Sequence, residues 1–75
     1  MKTMYVGGGK KNKLRPGDLL GAIVGVGKVD SSDVGNISVF NILSYVAIKS
    51  DKIEQVITNL QSGTIKNKKF KVGLA

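Results

Sequence analysis

Two clusters of basic residues are the features of this 75-residue sequence with the clearest chemistry. Eight of its twelve basic residues fall in two runs, which are Lys10, Lys11, Lys13 and Arg15, and Lys66, Lys68, Lys69 and Lys71. Only five acidic residues oppose them, so the net charge is +7. Such clustering favours a polyanionic partner, either nucleic acid or an anionic membrane surface. The alternative is a solvated lysine-rich surface that only promotes solubility.

A glycine run leads into the first basic cluster. Gly7, Gly8 and Gly9 directly precede Lys10 and Lys11. Glycines let backbone N–H groups approach an anion, and a helix that starts nearby adds its dipole. A nucleoside triphosphate loop also requires Gly-Lys followed by Ser or Thr, which this sequence lacks. We therefore predict phosphate binding here without hydrolysis.

Most catalytic and metal chemistry is excluded by composition. The sequence has no cysteine and no histidine. Disulfides, thiolate metal sites, cysteine nucleophiles and histidine acid–base catalysis are therefore absent. The carboxylates have local explanations at a helix start, in a turn and in a capping box: Asp18, Asp30, Asp33, Asp51 and Glu54. We expect no catalysis, no metal and no other cofactor in this chain.

Glycine, proline and apolar patterning divide the chain into six elements. We predict a strand at 3–7, a loop at 8–14 and a helix at 16–24 that begins with Pro16. A turn-rich stretch leads to strands at 36–40 and 43–49, which form a hairpin. A second helix begins with a capping box at Asp51 and Glu54 and ends before Gly63. A last strand occupies 65–74, where apolar and basic residues alternate.

This order predicts one α+β domain over residues 1–75. It is the split βαβ arrangement, a four-stranded antiparallel sheet with both helices on one face. We expect the first and last strands to lie on opposite edges, so the two basic runs need not form one patch, although a polyanion that wraps around the domain could touch both. The second face of the sheet is expected to stay open.

Strand alternation predicts which side chains occupy the open face: Thr3, Tyr5, Gly7, Ser38, Phe40, Leu43, Tyr45, Ala47, Lys69 and Lys71. RNA-recognition motifs stack bases on aromatic residues of their first and third strands, and Tyr5 and Tyr45 fall on those strands. The match is partial, because Leu43 stands where the first aromatic residue of the third strand is expected. The structural alternative is that both tyrosines are residues at the edge of the core.

No segment of the sequence has the length or the composition of a membrane span. The longest apolar stretch, residues 19–26, contains Gly21 and Gly25 and falls short of the roughly 20 residues that a spanning helix needs. The apolar run at the amino terminus is too short for a signal peptide. We therefore expect a cytoplasmic protein with no membrane partner. We also expect this protein to be a monomer.

The segment GGKKNKLRPGDLLGA at residues 8–22 adds a family resemblance. It closely resembles the start of the carboxy-terminal RNA-binding domain of the DbpA/YxiN group of bacterial DEAD-box RNA helicases. The hallmark of that domain is Gly-Gly-Lys-Lys-x-Lys-Ile/Leu-Arg, followed by Asp and an apolar helix. The resemblance continues through DVGNI at 33–37, YVA at 45–47 and GTIKNK at 63–68, and so spans nearly the whole chain.

The resemblance implies a divergent RNA-recognition fold attached after two helicase lobes. It implies binding to a structured hairpin of large-subunit ribosomal RNA near the peptidyl-transferase region, which directs an ATP-dependent helicase in ribosome assembly. ATP and magnesium would belong to the helicase lobes and not to this chain. By position, Lys10, Lys11, Lys13 and Arg15 match the basic segment that contacts RNA, and Tyr45 matches an aromatic residue of the third strand.

Residues and resemblance together predict RNA contacts at Tyr5, Gly8, Gly9, Lys10, Lys11, Lys13, Arg15, Tyr45, Lys69 and Lys71. We call residues 10–15 the basic loop; either this loop or the open sheet face could contribute most of the RNA binding. The alternative function is a protein-interaction or assembly module on a ferredoxin-like fold. In that case Phe40 and Leu43 would dock a partner, and the lysines would serve solubility.

Overall fold

The computed structural model describes Met1–Ala75. Its elements are β1 (Lys2–Val6), α1 (Pro16–Gly25), β2 (Val34–Val39), β3 (Ser44–Ile48), α2 (Ile53–Ser62) and β4 (Val72–Leu74). Single 3₁₀ turns occupy Lys10–Asn12 and Ser31–Asp33. The strands form one antiparallel sheet in the order β2-β3-β1-β4. The predicted α+β fold with the order βαββαβ is therefore confirmed.

One face of the sheet and both helices share a single core. Alternation places Met4 and Val6 of β1 beside Val46 and Ile48 of β3, all fully buried. The helices contribute Leu19 and Ile23 from α1, and Ile53, Val56 and Leu60 from α2, to the same cluster of 13 buried hydrophobic residues. Burial of each such side chain contributes about 1.5–3 kcal/mol. Because both helices cover this face, Tyr5 and Tyr45 lie on the opposite, uncovered one.

Helix α1 begins as the sequence predicts. Pro16 is the first helical residue, where its missing N–H group costs no hydrogen bond. The carboxylate of Asp18, the third helical residue, accepts a 3.0 Å hydrogen bond from the backbone N–H of Arg15, the residue that precedes the helix. Neither helix of the structure is long and apolar enough to cross a membrane.

The capping box predicted for α2 is wrong. The helix begins at Ile53, after Lys52, and no side chain caps it. Instead the Lys49 carbonyl oxygen accepts the N–H groups of both Lys52 and Ile53, at 2.9 and 3.1 Å. The chain therefore makes a tight turn before the helix, and Asp51 lies within that turn rather than at the helix start.

The predicted last strand is too long, because its first half forms a turn. Ile65 and Lys68 exchange backbone hydrogen bonds of 2.9 and 3.0 Å around Lys66 and Asn67. Both central residues have positive φ, 54° and 64°, as in a type I′ turn. Only Val72–Leu74 pairs with β1 as a strand.

The expected separation of the first and last strands is also wrong. β1 lies inside the sheet, between β3 and β4. The connection that contains α1 passes over β3, and the connection that contains α2 passes over β1. The first and third strands are therefore central, and the segment that leads into β4 adjoins the loop that follows β1.

Candidate nucleic-acid interface

The two basic runs meet in the structure. The Lys66 ammonium group donates a 2.9 Å hydrogen bond to the carbonyl oxygen of Lys13. It also lies 3.4 Å from the carboxylate of Asp18 at the start of α1. Farther along the second run, the Lys71 carbonyl oxygen accepts a 2.6 Å hydrogen bond from the N–H of Gly7. Segments more than 50 residues apart in the sequence thus form one surface.

An open depression marks this junction. Its lining consists of Leu14 and four basic side chains, those of Lys10, Lys13, Arg15 and Lys66. The adjacent carboxylate of Asp18 is already engaged by the N–H of Arg15 and by Lys66. The depression is therefore rich in cationic donors and poor in acceptors, which suits an anion.

The net positive charge of the chain is concentrated at this end of the sheet. We call this surface the basic end; it comprises Lys10, Lys11, Lys13, Arg15, Lys66, Lys68, Lys69 and Lys71. Asp18 is the one acidic residue beside it. The other four basic and four acidic residues balance one another. They lie at the start of β1, in the connections that lead to β2 and α2, and in the first turn of α2.

The loop that carries Lys10 and Lys11 is fixed to the turn between β2 and β3. The N–H of Lys10 donates to the carbonyl oxygen of Phe40 at 2.8 Å, and the N–H of Lys11 donates to that of Asn41 at 2.9 Å. The Asn12 side chain closes the loop by accepting a 3.0 Å hydrogen bond from the N–H of Gly9. A Cβ atom at Gly9 would overlap the Phe40 carbonyl oxygen, so this approach requires glycine.

The same loop is anchored from beneath. Ser44 is fully buried at the start of β3, and its hydroxyl donates a 2.7 Å hydrogen bond to the carbonyl oxygen of Gly8. The Phe70 ring packs against Gly8, where a Cβ atom would come within 2.6 Å of ring carbons. Both Gly8 and Gly9 are buried. The glycines allow the loop to pack tightly, and RNA contact at Gly8 or Gly9 stays a prediction.

The open sheet face carries an aromatic row. Tyr5 and Tyr45 are directly opposite each other in the register of β1 and β3. The Tyr5 ring lies over Gly73 of β4, since a Cβ atom there would be 2.8 Å from the ring. The ring centroids of Tyr45 and Phe40 are 6.0 Å apart, with an interplanar angle of 75°. This face can offer rings to a base, and contacts at Tyr5 and Tyr45 stay predictions.

The remaining predicted contacts lie outside regular structure. Lys69 and Lys71 are exposed and precede β4, rather than belonging to it as expected. Of the two residues that would dock a partner in the alternative function, Leu43 is half-buried and Phe40 is exposed. The Lys71 carbonyl oxygen accepts the N–H of Gly7, so Lys71 lies beside the loop that follows β1. RNA contact at Lys69 and Lys71 stays a prediction.

Three residues have structural roles that the sequence analysis does not predict. Lys66 belongs to the second basic run, but its bond to Lys13 joins positions that no local pattern relates. Ser44 falls on the same alternation as Val46 and Ile48, so a polar residue at a core position was a usable signal. Asn12, three residues after Gly9, has the spacing of a local side-chain cap.

Known proteins resemble this chain over nearly its whole length. Residues 3–74 match the family described as the DbpA RNA binding domain. Over 74 residues the chain is 42% identical to the ATP-dependent RNA helicase DbpA of Escherichia coli (strain K12), covering 99% of this chain and 16% of that protein. Over 72 residues it is 36% identical to the ATP-dependent RNA helicase DbpA of Bacillus subtilis (strain 168), covering 96% and 15%.

The chain therefore spans about a sixth of the length of these two relatives. The family match itself extends from residue 3 to residue 74 and includes both basic runs and all four strands except the first residue of β1. On that match, the chain belongs to the DbpA RNA-binding domain family.

Proposed function

We propose that this chain is an RNA-binding module that holds structured RNA by its basic end and reads unpaired bases beside it. The observation that carries the proposal is the concentration of the net charge at one end of the sheet. Two basic runs that are distant in sequence meet there, and a depression between them is lined by four cationic side chains. An RNA backbone presents phosphates to such a surface, and the rest of the molecule is electrically balanced.

Specificity requires contacts beyond phosphate. The deep major groove of an A-form helix is closed to side chains, so proteins read RNA sequence mainly at unpaired bases. The open sheet face supplies rings at Tyr5 and Tyr45, and it adjoins the loop of Lys10 and Lys11 through the β2–β3 turn. A stem-loop could place stem phosphates on the basic end and loop bases near the rings.

The target within this proposal is a hairpin of large-subunit ribosomal RNA near the peptidyl-transferase region. The two relatives are named as ATP-dependent RNA helicases and are far longer than this chain. In a protein of that kind, the module would tether helicase lobes to the RNA and raise their effective concentration at nearby duplexes. ATP and magnesium would be bound by those lobes. The module itself would select the RNA site and would not catalyse a reaction. A monomeric state and a cytoplasmic location belong to the same proposal.

A titration at two salt concentrations tests the proposal. The probes are the large-subunit ribosomal RNA hairpin and a scrambled hairpin of equal length. We expect tighter binding to the first, and an affinity whose logarithm falls with log salt at about 0.7–0.9 per phosphate contacted. Lys11→Ala with Arg15→Ala should weaken binding and reduce that slope, while the far-ultraviolet circular dichroism spectrum stays unchanged.

Three outcomes would count against parts of the proposal. Equal and steeply salt-dependent binding to both hairpins would leave a general RNA anchor without sequence specificity. Unchanged affinity in the double variant would refute the role of the basic loop. Absence of binding to either RNA would favour a protein-interaction module instead.

A further inference from the structure

An aromatic corner stands exposed at the turn between β2 and β3. Phe40 is 53% exposed, and Tyr45 next to it is 36% exposed. The two rings are nearly perpendicular, with their centroids 6.0 Å apart. Phe40 is not among the residues of the hydrophobic core or those packed against it. The ring therefore contributes little to the packing of the fold.

This corner is joined to the basic loop by backbone hydrogen bonds. The Phe40 carbonyl oxygen accepts the N–H of Lys10, and the Asn41 carbonyl oxygen accepts the N–H of Lys11. The N–H of Phe40 donates a 2.8 Å hydrogen bond to the carbonyl oxygen of Leu43, which closes the turn. The backbones of Phe40 and the two lysines therefore form one unit, and an aromatic surface borders a cationic one.

The combination fits a nucleotide better than a protein surface. A protein partner would need an interface of about 1,000 Å² or more, and the exposed apolar groups here are a few side chains bordered by lysines. An unpaired nucleotide has an aromatic base and an anionic phosphate within one residue, which matches rings beside ammonium groups. Inside a duplex the base faces are already stacked on their neighbours, so away from the duplex ends only an unpaired base can lie on a ring.

We propose that Phe40 and Tyr45 form a binding site for one unpaired nucleobase, and that Lys10 or Lys11 binds the phosphate of the same nucleotide. The base lies on one ring while its edge meets the other. This inference rests on the proposed RNA-binding function and adds to it a specific binding residue, Phe40, in the β2–β3 turn. It assigns the preference for unpaired RNA to this corner.

The test compares an RNA stem-loop with a blunt, fully paired duplex that has the same number of phosphates. We expect Phe40→Ala to weaken stem-loop binding about 5- to 140-fold, the range for one lost base–aromatic stack. Duplex affinity and the salt slope for both RNAs should stay unchanged, because the phosphate contacts remain. Phe40→Trp should retain the preference for the stem-loop.

Ile42→Ala is the matched control. Ile42 lies in the same turn and is 67% exposed, but it has no ring on which a base can stack. We expect this variant to bind both RNAs as the parent does. Thermal unfolding of all three variants checks that the turn and the fold persist.

The failures of the two proposals are distinguishable. If the parent chain binds neither RNA, the proposed function itself fails. If the parent binds both RNAs and Phe40→Ala changes neither affinity, or lowers both equally, the nucleobase-binding site is refuted. The proposed RNA-binding function stands in that case. In that case the aromatic corner would be free for a protein partner.

Discussion

The ammonium group of Lys66 is bonded to the backbone carbonyl oxygen of Lys13, 2.9 Å away and 53 residues earlier in the chain. Lys13 has a left-handed backbone, with φ of 60°, and Lys66 lies in the type I′ turn. Two turns of unusual backbone conformation are thus joined by one side chain. This bond fixes the position of the basic loop relative to the second basic run.

The bond leads to a prediction for two neighbouring lysines. Lys66→Met and Lys68→Met each remove one charge, but only Lys66 bonds to Lys13. We expect Lys66→Met to weaken RNA binding more than Lys68→Met, because it also removes the side-chain link between Lys13 and the turn that carries Lys66. Lys66 is half-exposed, so the free energy of unfolding should fall by less than about 1 kcal/mol.

Salt titrations of RNA binding and chemical denaturation measure these effects. Lys66→Arg, which keeps a cationic donor, should restore most of the affinity. Equal losses in Lys66→Met and Lys68→Met would mean that only the number of charges matters, and that the bond to Lys13 has no role in RNA binding.

Gly9 provides a stability prediction at the base of the basic loop. Its φ is −161°, an extended conformation open to any residue, so the constraint is the space occupied by the Phe40 carbonyl oxygen. Gly9→Ala must push the loop away from the β2–β3 turn and should destabilise the fold by about 1–3 kcal/mol. Urea denaturation measures the change, and an effect below about 0.5 kcal/mol would show that the turn yields easily.

Much of the fold follows from local sequence patterns. Alternation in β1 and β3 predicts the buried face, and Pro16 with Asp18 predicts the start of α1. These signals are readable because each depends on residues a few positions apart. The apolar spacing of α2 likewise identifies its buried face through Ile53, Val56 and Leu60.

The wrong predictions concern segments whose conformation local sequence patterns do not determine. The residues before β4 alternate like a strand, yet Lys66 and Asn67 adopt positive φ without glycine, so the usual turn signal is missing. The spacing of Asp51 and Glu54 is typical of a capping box, but the helix is preceded instead by a turn in which the Lys49 carbonyl oxygen accepts two N–H groups. The junction of the basic runs depends on strand order, which no local pattern specifies.

Ser44 provides a second stability prediction. Its hydroxyl is fully buried and donates to the carbonyl oxygen of Gly8, which leads into the basic loop. Ser44→Ala leaves that carbonyl oxygen without its donor, and we expect the free energy of unfolding to fall by about 1–3 kcal/mol. Ser38→Ala is the control, since Ser38 is exposed in β2 and should change stability by less than about 0.5 kcal/mol. Similar losses in both variants would argue against a special role for the Ser44 bond.

Helix α1 carries a residue whose replacement should stabilise the protein. Gly21 lies in the helix interior and is exposed, and a Cβ atom there would meet nothing within 4 Å. Glycine in a helix interior is less favourable than alanine by about 0.8–1 kcal/mol, because it loses more backbone entropy. We therefore expect Gly21→Ala to raise the free energy of unfolding by about that amount in urea denaturation. RNA affinity should stay unchanged, because the proposed contacts lie on the basic end and the sheet face. A more stable variant that binds RNA more weakly would show that the RNA backbone also approaches this face of α1.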